Sequence, residues 1–188
     1  MSKMTSLLER NRHFANTYTF VPLGPPAAQV LVVTCLDHRV DPSRFFELEV
    51  GDAPVIRNAG GRVHQAVIDD IAFFAFVAEQ MFADADSTET LFEVAIVHHT
   101  QCGSAFLADQ DFRHRYAALI DANESDLRED AVVDPAASVA VDVDRLRSAK
   151  SISRRVEVSG HVYDIETGVV TTVVPAKGTR DARAEDGG

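Results

Sequence analysis

Short apolar runs alternate with longer amphipathic stretches along most of the chain. Three of these runs, at residues 29–35, 54–58 and 91–99, are rich in Val and Ile. Runs of this length and composition are typical of strands that are covered on both faces of a sheet. The pattern therefore predicts three buried strands.

Helical patterns fill the intervals between and after these strands. Asp41 followed by Pro42 predicts a helix start, with an acidic N-cap and a proline at the first helical position. Residues 62–82 repeat apolar side chains at helical spacing, and residues 106–120 predict a further helix. Residues 134–150 alternate in the middle like a strand, but the Asp-Pro opening and the basic end favour a helix.

The C-terminal part of the chain predicts a pair of adjacent strands. Residues 156–163 and 169–174 flank a Glu-Thr-Gly turn, as in an antiparallel hairpin. The whole pattern predicts an α/β fold with a mainly parallel central sheet flanked by helices and an antiparallel C-terminal hairpin or edge strand. We expect one domain over residues 1–175 and a flexible tail at 176–188, which lacks large apolar side chains.

Composition and charge limit the partners of the chain. Of 188 residues, 46% are hydrophobic and 25% charged, as in soluble globular proteins, and no apolar run is long enough to cross a membrane. The N-terminus lacks the apolar core of a secretory signal, which predicts a cytoplasmic protein. The net charge of −11 argues against nucleic-acid binding. Much of it falls at residues 79–93 and 121–144, which we expect to face solvent.

Two motifs, each at the end of a predicted strand, carry the chemistry of the sequence. The first strand leads into Cys35-Leu36-Asp37-His38-Arg39 and the third into His99-Thr100-Gln101-Cys102-Gly103. Ligands bind outside the carboxyl ends of parallel strands, so the two motifs are expected to converge there. The chain has two cysteines, and in a reducing compartment two such distant cysteines indicate a metal or reactive site rather than a disulfide.

Two thiolates and one imidazole form a ligand set that suits zinc. Three protein ligands leave the fourth tetrahedral position open, as in catalytic zinc sites. Only His99 has the His-x-x-Cys spacing to Cys102; His98 faces the other way on a strand, where we interpret it as structural or as supporting the ligands. The competing interpretation is a pair of inert buried thiols beside a core histidine.

Asp37 and Arg39 alternate with Cys35 along an extended segment, so the three side chains can face the same way. Arg39 can hold Asp37 ionised through a bidentate pair, and a fixed carboxylate beside zinc can orient a zinc-bound hydroxide. A plain structural salt bridge is the alternative. Whether Asp37 itself or water fills the fourth zinc position stays open.

Other residues near the motifs are candidates for pocket and proton-transfer roles. Four residues are predicted to bind substrate or to shape the pocket: Asn58, Gly60, Gly61 and Gly103. Three histidines are candidate proton shuttles, although each can equally be an ordinary exposed histidine: His38, His64 and His114.

The two motifs together, in this order and at strand ends, resemble those of the β-class carbonic anhydrases, in a compact branch of that family. Residues 7–11, 55–61 and 160–168 are similar to further stretches of the family, so the resemblance covers most of the chain. It implies one zinc ion per chain, held by Cys35, His99 and Cys102. It also implies that the Asp37–Arg39 pair is catalytic.

By this resemblance the chain is an enzyme that reversibly hydrates carbon dioxide to bicarbonate through zinc-bound hydroxide. The family is usually built from dimers in which an N-terminal helix, here within residues 1–20, often wraps a partner subunit. A homodimer or dimer-based oligomer is therefore expected, with no nucleic-acid or membrane partner.

Two other functions stay open at this point. The same zinc site could hydrolyse carbonyl sulfide or carbon disulfide, since carbonyl sulfide is nearly isosteric with carbon dioxide. The chain could instead be a non-catalytic, zinc-stabilised α/β module that acts through a partner. Gln101 stands where the family often has an acid, which leaves the substrate and the proton route undecided.

Overall fold

A computed structural model of the protein describes residues 2–81 and 87–179. The helices are α1 Met4–Ala15, α2 Pro42–Phe45, α3 Gln65–Met81, α4 Gln110–Ile120, α5 Glu124–Glu129 and α6 Pro135–Ser148. The strands are β1 Val30–Cys35, β2 Val55–Asn58, β3 Phe92–His99, β4 Val156–Tyr163 and β5 Val170–Gly178. Short 3₁₀ turns follow β2 and β3, at Ala59–Gly61 and Gly103–Ala108.

The strands form one five-stranded sheet in the order β2-β1-β3-β4-β5. The first four strands are parallel, and β5 pairs antiparallel with β4. The α/β fold with a mainly parallel sheet and an antiparallel edge strand is thus confirmed. The prediction that residues 54–58 form a buried strand is wrong, because β2 is the other edge strand and its residues are exposed or half-buried. The motif-bearing strands β1 and β3 are adjacent at its centre, with Thr34 opposite Val97.

The main hydrophobic core lies between the sheet and helices α3 and α6. Ile71 of α3 and Leu146 of α6 are fully buried against Val33 and Ile96 of the sheet. The helix predicted at residues 134–150 is confirmed as α6. The Asp134 carboxylate stabilises its start by accepting hydrogen bonds from the backbone N–H groups of Ala136 and Ala137.

Several predicted boundaries are wrong. The helix predicted at residues 106–120 is interrupted at Asp109, whose side chain accepts from Phe112 N and starts α4 there. The helix predicted from residue 62 begins only at Gln65, and its predicted end at residue 82 lies outside the described residues. The strand predicted at residues 169–174 begins at Val170 and runs on to Gly178, because its backbone keeps pairing with β4. Residues 180–188 of the predicted tail lie outside the described residues.

One member of the acidic segments departs from the expectation that they face solvent. Asp142 is 0% exposed, since it lies on the core-facing side of α6 beside Val139, Val143 and Leu146. Among the phenylalanines of α3, Phe74 packs edge-on against Phe92, whereas Phe73 and Phe76 are exposed.

Helix α1 buries none of its residues against the rest of the chain. Its apolar side chains are exposed, among them Leu7, Leu8 and Phe14. The predicted N-terminal helix is present but shorter than residues 1–20. Within the described ranges, no helix combines the length and the apolar character needed to cross a membrane.

Candidate metal centre and cleft

Three candidate metal ligands converge at the carboxyl ends of β1 and β3. Cys35 ends β1, His99 ends β3 and Cys102 follows three residues later, at the turn that leads into Gly103–Ala108. All three side chains are buried, and their ligand atoms lie within 4.8 Å of one another. The structure therefore brings together the three residues that the sequence singled out.

The donor geometry fits zinc. The two Sγ atoms are 3.9 Å apart, close to the ~3.8 Å that two thiolates at ~2.3 Å from a tetrahedral zinc would span. His99 Nδ1 donates to the Thr100 carbonyl at 2.9 Å, which fixes the tautomer and leaves the Nε2 lone pair free. This buried Nε2 has no hydrogen-bond partner within residues 2–81 and 87–179, as expected for a nitrogen that serves as a metal ligand.

The two thiols titrate as a pair. A hydrogen bond with Cys102, together with burial, raises the pKa of Cys35 to about 12. The same hydrogen bond from Cys35, assisted by Ser104 Oγ at 3.1 Å, lowers the pKa of Cys102 to about 6. The site therefore favours one thiolate near neutral pH, and a thiolate is the form that binds metal.

The Asp37–Arg39 pair lies beside these ligands. Arg39 Nε donates to Asp37 Oδ1 at 3.0 Å and Arg39 Nη2 donates to Oδ2 at 2.7 Å, so the pair is bidentate. These bonds hold the pKa of Asp37 well below its usual range. Asp37 N in turn donates to Cys35 Sγ at 3.4 Å. The carboxylate is thus ionised and fixed, and Asp37 lines the same cleft as Cys35.

Arg57, which the sequence analysis did not single out, holds the loop that carries this pair. Its guanidinium donates to the carbonyls of Cys35, Asp37 and Val40, at 3.0, 2.7 and 2.6 Å. Three carbonyls from one loop are thereby tied to strand β2. A single sequence offers no signal for such a role, because every residue has a carbonyl group.

The turn after β2 has the shape expected of Asn58, Gly60 and Gly61. Asn58 closes it with two hydrogen bonds to the backbone of Arg62, at 2.7 and 2.8 Å. Gly61 has φ +69°, and a Cβ there would lie 2.9 Å from Cys35 N. Only glycine allows the turn to approach the end of β1 so closely.

A buried ion pair between Arg62 and Asp142 contacts strand β3 through His98. Arg62 donates to Asp142 through Nε at 2.6 Å and Nη2 at 3.1 Å. His98 Nε2 lies 3.3 Å from Asp142 Oδ2 and 3.2 Å from the Gly61 carbonyl, facing away from the metal ligands as predicted. Neither Arg62 nor Asp142 is predicted from the sequence as a residue of the site.

An apolar cleft of about 270 Å³ opens next to the ligands. Cys35, Asp37, Gly60 and Gly103 line it, whereas Asn58 and Gly61 belong to the turn after β2 without lining the cleft. Apolar side chains supply much of its wall: Leu36, Leu107, Phe112 and Tyr116. The described chain thus builds a cleft from its own residues.

The three candidate proton shuttles lie at the surface. His38 has a 92% exposed side chain, with Nδ1 3.7 Å from Asp37 Oδ1. His64 and His114 face acidic partners, Asp130 at 3.7 Å and Glu124 at 2.7 Å. His38 is therefore the candidate next to the Asp37–Arg39 pair, and its proton-transfer role stays a prediction.

Comparison with known proteins adds independent evidence. A family model described as "Carbonic anhydrase" matches residues 30–170. The chain is 28% identical over 179 residues to "Beta-carbonic anhydrase 1" of Mycobacterium tuberculosis, which covers 93% of this chain and 100% of that protein. It is 25% identical over 166 residues to "Carbon disulfide hydrolase" of Acidianus sp., 76% of each chain. The crystal structure of a carbonic anhydrase from Streptococcus mutans matches with a TM-score of 0.73 at 28% identity, over 92% of this chain and 98% of that one.

Proposed function

Since this chain belongs to the β-carbonic anhydrase family of enzymes, we propose that it catalyses the reversible hydration of carbon dioxide to bicarbonate with one zinc ion per chain. The observation that carries the proposal is the buried His99 Nε2, which has no hydrogen-bond partner in the described part of the chain and forms a triangle of candidate ligands with Cys35 and Cys102. This triangle lies beside the Asp37–Arg39 pair. A purely structural site needs no such pair.

The residues around the site have different roles in this reaction. Zinc, when bound, supplies a Lewis acid that lowers the pKa of a coordinated water toward neutrality. Asp37, held ionised by Arg39, can only accept hydrogen bonds. It would therefore orient the attacking nucleophile by accepting a hydrogen bond from it. Leu36, Leu107 and Phe112 give an apolar substrate an apolar surface beside the candidate ligands.

Zinc-loaded protein is expected to accelerate carbon dioxide hydration, with a rate that rises with pH as the nucleophile ionises. Stopped-flow measurement with a pH indicator between pH 7 and 9, together with zinc analysis, tests this. A metal-replete protein that never exceeds the rate of buffer alone contradicts the proposal.

Hydrolysis of carbonyl sulfide or carbon disulfide is the second candidate. The similarity to the Acidianus carbon disulfide hydrolase supports it, and the apolar cleft can take these linear molecules as well as carbon dioxide. Release of hydrogen sulfide, measured beside hydration on the same preparation, separates the two candidates.

Replacing Asp37 by asparagine should keep zinc but lower kcat by roughly 10–100-fold, because the acceptor beside the ligands loses its charge. Asp69→Ala, on the exposed face of α3, serves as the matched loss of a carboxylate away from the site. Zinc stoichiometry and stopped-flow rates measure both. If Asp37→Asn is folded, zinc-loaded and as active as wild type, the pair has no part in the reaction.

We also propose that the chain forms a homodimer. Helix α1 leaves all of its residues unburied and exposes Leu7, Leu8 and Phe14, and a second copy would cover them. Phe20 and Leu23 in the following segment are exposed as well.

A further inference from the structure

Gln101 connects the Asp37–Arg39 pair to the turn between β4 and β5. Its backbone carbonyl accepts a hydrogen bond from Arg39 Nη2 at 3.0 Å, and its side-chain Nε2 donates to Glu166 Oε1 at 2.5 Å. The same Arg39 Nη2 donates to Asp37 Oδ2 at 2.7 Å. Hydrogen bonds through Gln101 and Arg39 therefore connect Glu166 to the Asp37 carboxylate.

The backbone of Gln101 is held in an uncommon conformation. Its φ is +54°, in the left-handed region that is unfavourable for a residue with a Cβ. Such a conformation persists where surrounding contacts hold it. The hydrogen bonds of the Gln101 carbonyl with Arg39 and of the Gln101 side chain with Glu166 supply such contacts. Together they fix the direction of the carbonyl that accepts from Arg39.

The turn that presents Glu166 is itself anchored to the ligand-bearing loop. Thr100 N donates to the Tyr163 carbonyl at 3.0 Å, and Ile165 N donates to Thr100 Oγ1 at 3.1 Å. Glu166 N donates to Asp164 Oδ1 at 2.9 Å, which orders the turn internally. Glu166 thus approaches Gln101 from a fixed backbone rather than from a loose loop.

We propose that the Gln101–Glu166 hydrogen bond is a latch that positions Arg39 and, through it, the Asp37 carboxylate. Gln101 and Glu166 are positioning residues that act through Arg39 and touch no reacting atom. The catalytic consequence rests on the proposed function, because Asp37 orients the nucleophile there. The geometric consequence can be measured without any turnover.

Gln101→Glu tests the latch, since it is isosteric and sets a carboxylate against that of Glu166. Zinc-loaded protein should then show Arg39 Nε–H exchanging with solvent about threefold to tenfold faster. The NMR signal of this Nε–H group is assigned by its absence from the spectrum of the Arg39→Lys variant. We expect kcat to fall by a similar factor, with little change in KM or in zinc stoichiometry. The exchanged pair Gln101→Glu/Glu166→Gln restores one donor and one acceptor at unchanged net charge, so both values should return to within about twofold of wild type.

Gln65→Glu is the matched control. Gln65 Nε2 donates to Asp69 Oδ1 at 2.8 Å on α3, so this change also turns an amide–carboxylate bond into a like-charge pair, but away from the site. It should leave the Arg39 signal unaltered. The latch is refuted if Gln101→Glu exchanges like wild type or if the exchanged pair fails to recover. A wild-type protein without hydration activity would instead refute the proposed function, while the exchange measurement would still decide on the latch.

Discussion

Replacing His99 by alanine should abolish zinc binding and lower carbon dioxide hydration by more than about a thousandfold, to the rate of buffer. Two thiolates alone cannot complete the set, because the buried Nε2 of His99, which has no hydrogen-bond partner in the described chain, supplies its third donor atom. Metal analysis after dialysis against a weak chelator and stopped-flow measurement give the two values. His99 is fully buried, so circular dichroism must show that the variant is folded.

Two further variants make this result specific. Cys35→Ser removes a different ligand of the same set and should give the same loss of zinc and activity. His13→Ala removes an exposed histidine from α1 and should change neither. A folded His99→Ala protein that still binds one zinc per chain and hydrates carbon dioxide would show that the ligand set has been assigned incorrectly.

The fold and the cluster of candidate ligands were predictable because both depend on local patterns. Valine-rich runs identify the strands, although β2 lies at the sheet edge and is not buried as predicted. Cys35, His99 and Cys102 follow from spacing at strand ends. The parallel pairing of β1 with β3 then brings the two motifs together, as expected for an open sheet. The Asp37–Arg39 pair needs only two residues of extended chain, so it was predictable as well.

The supporting contacts were less predictable, because they join residues that are distant in sequence or use the backbone. Arg57 and Gln101 act through carbonyl groups or through a partner 65 residues away. Asp142 did leave a signal: it occupies an apolar position of α6, between Val139 and Leu146, yet the acidic composition around it favoured an exposed surface. A charged residue at a core-facing helical position is evidence for a buried partner.

Replacing Asp142 by alanine should lower the free energy of unfolding by about 3–5 kcal/mol, because it leaves Arg62 buried without a counter-charge. Arg62 is 2% exposed and Asp142 0%, so water cannot replace the lost partner. Urea denaturation at pH 7 measures the loss. Asp69→Ala, an exposed aspartate on α3, should cost less than about 0.5 kcal/mol. A loss below about 1 kcal/mol for Asp142→Ala would contradict the role given to the pair.

The pair also predicts how this loss depends on pH. Burial by itself raises the pKa of Asp142, but hydrogen bonds from His98 and Arg62 outweigh burial and leave the pKa below its ordinary value. A carboxyl group with a lowered pKa in the folded state stabilises the protein above its unfolded pKa, and loses that effect as the pH falls through the folded pKa. The stability difference between wild type and Asp142→Ala should therefore be complete above about pH 5 and shrink below about pH 4. Adding Arg62→Met to Asp142→Ala removes the stranded charge and should recover part of the loss at pH 7, which separates the charge from the packing of the side chain.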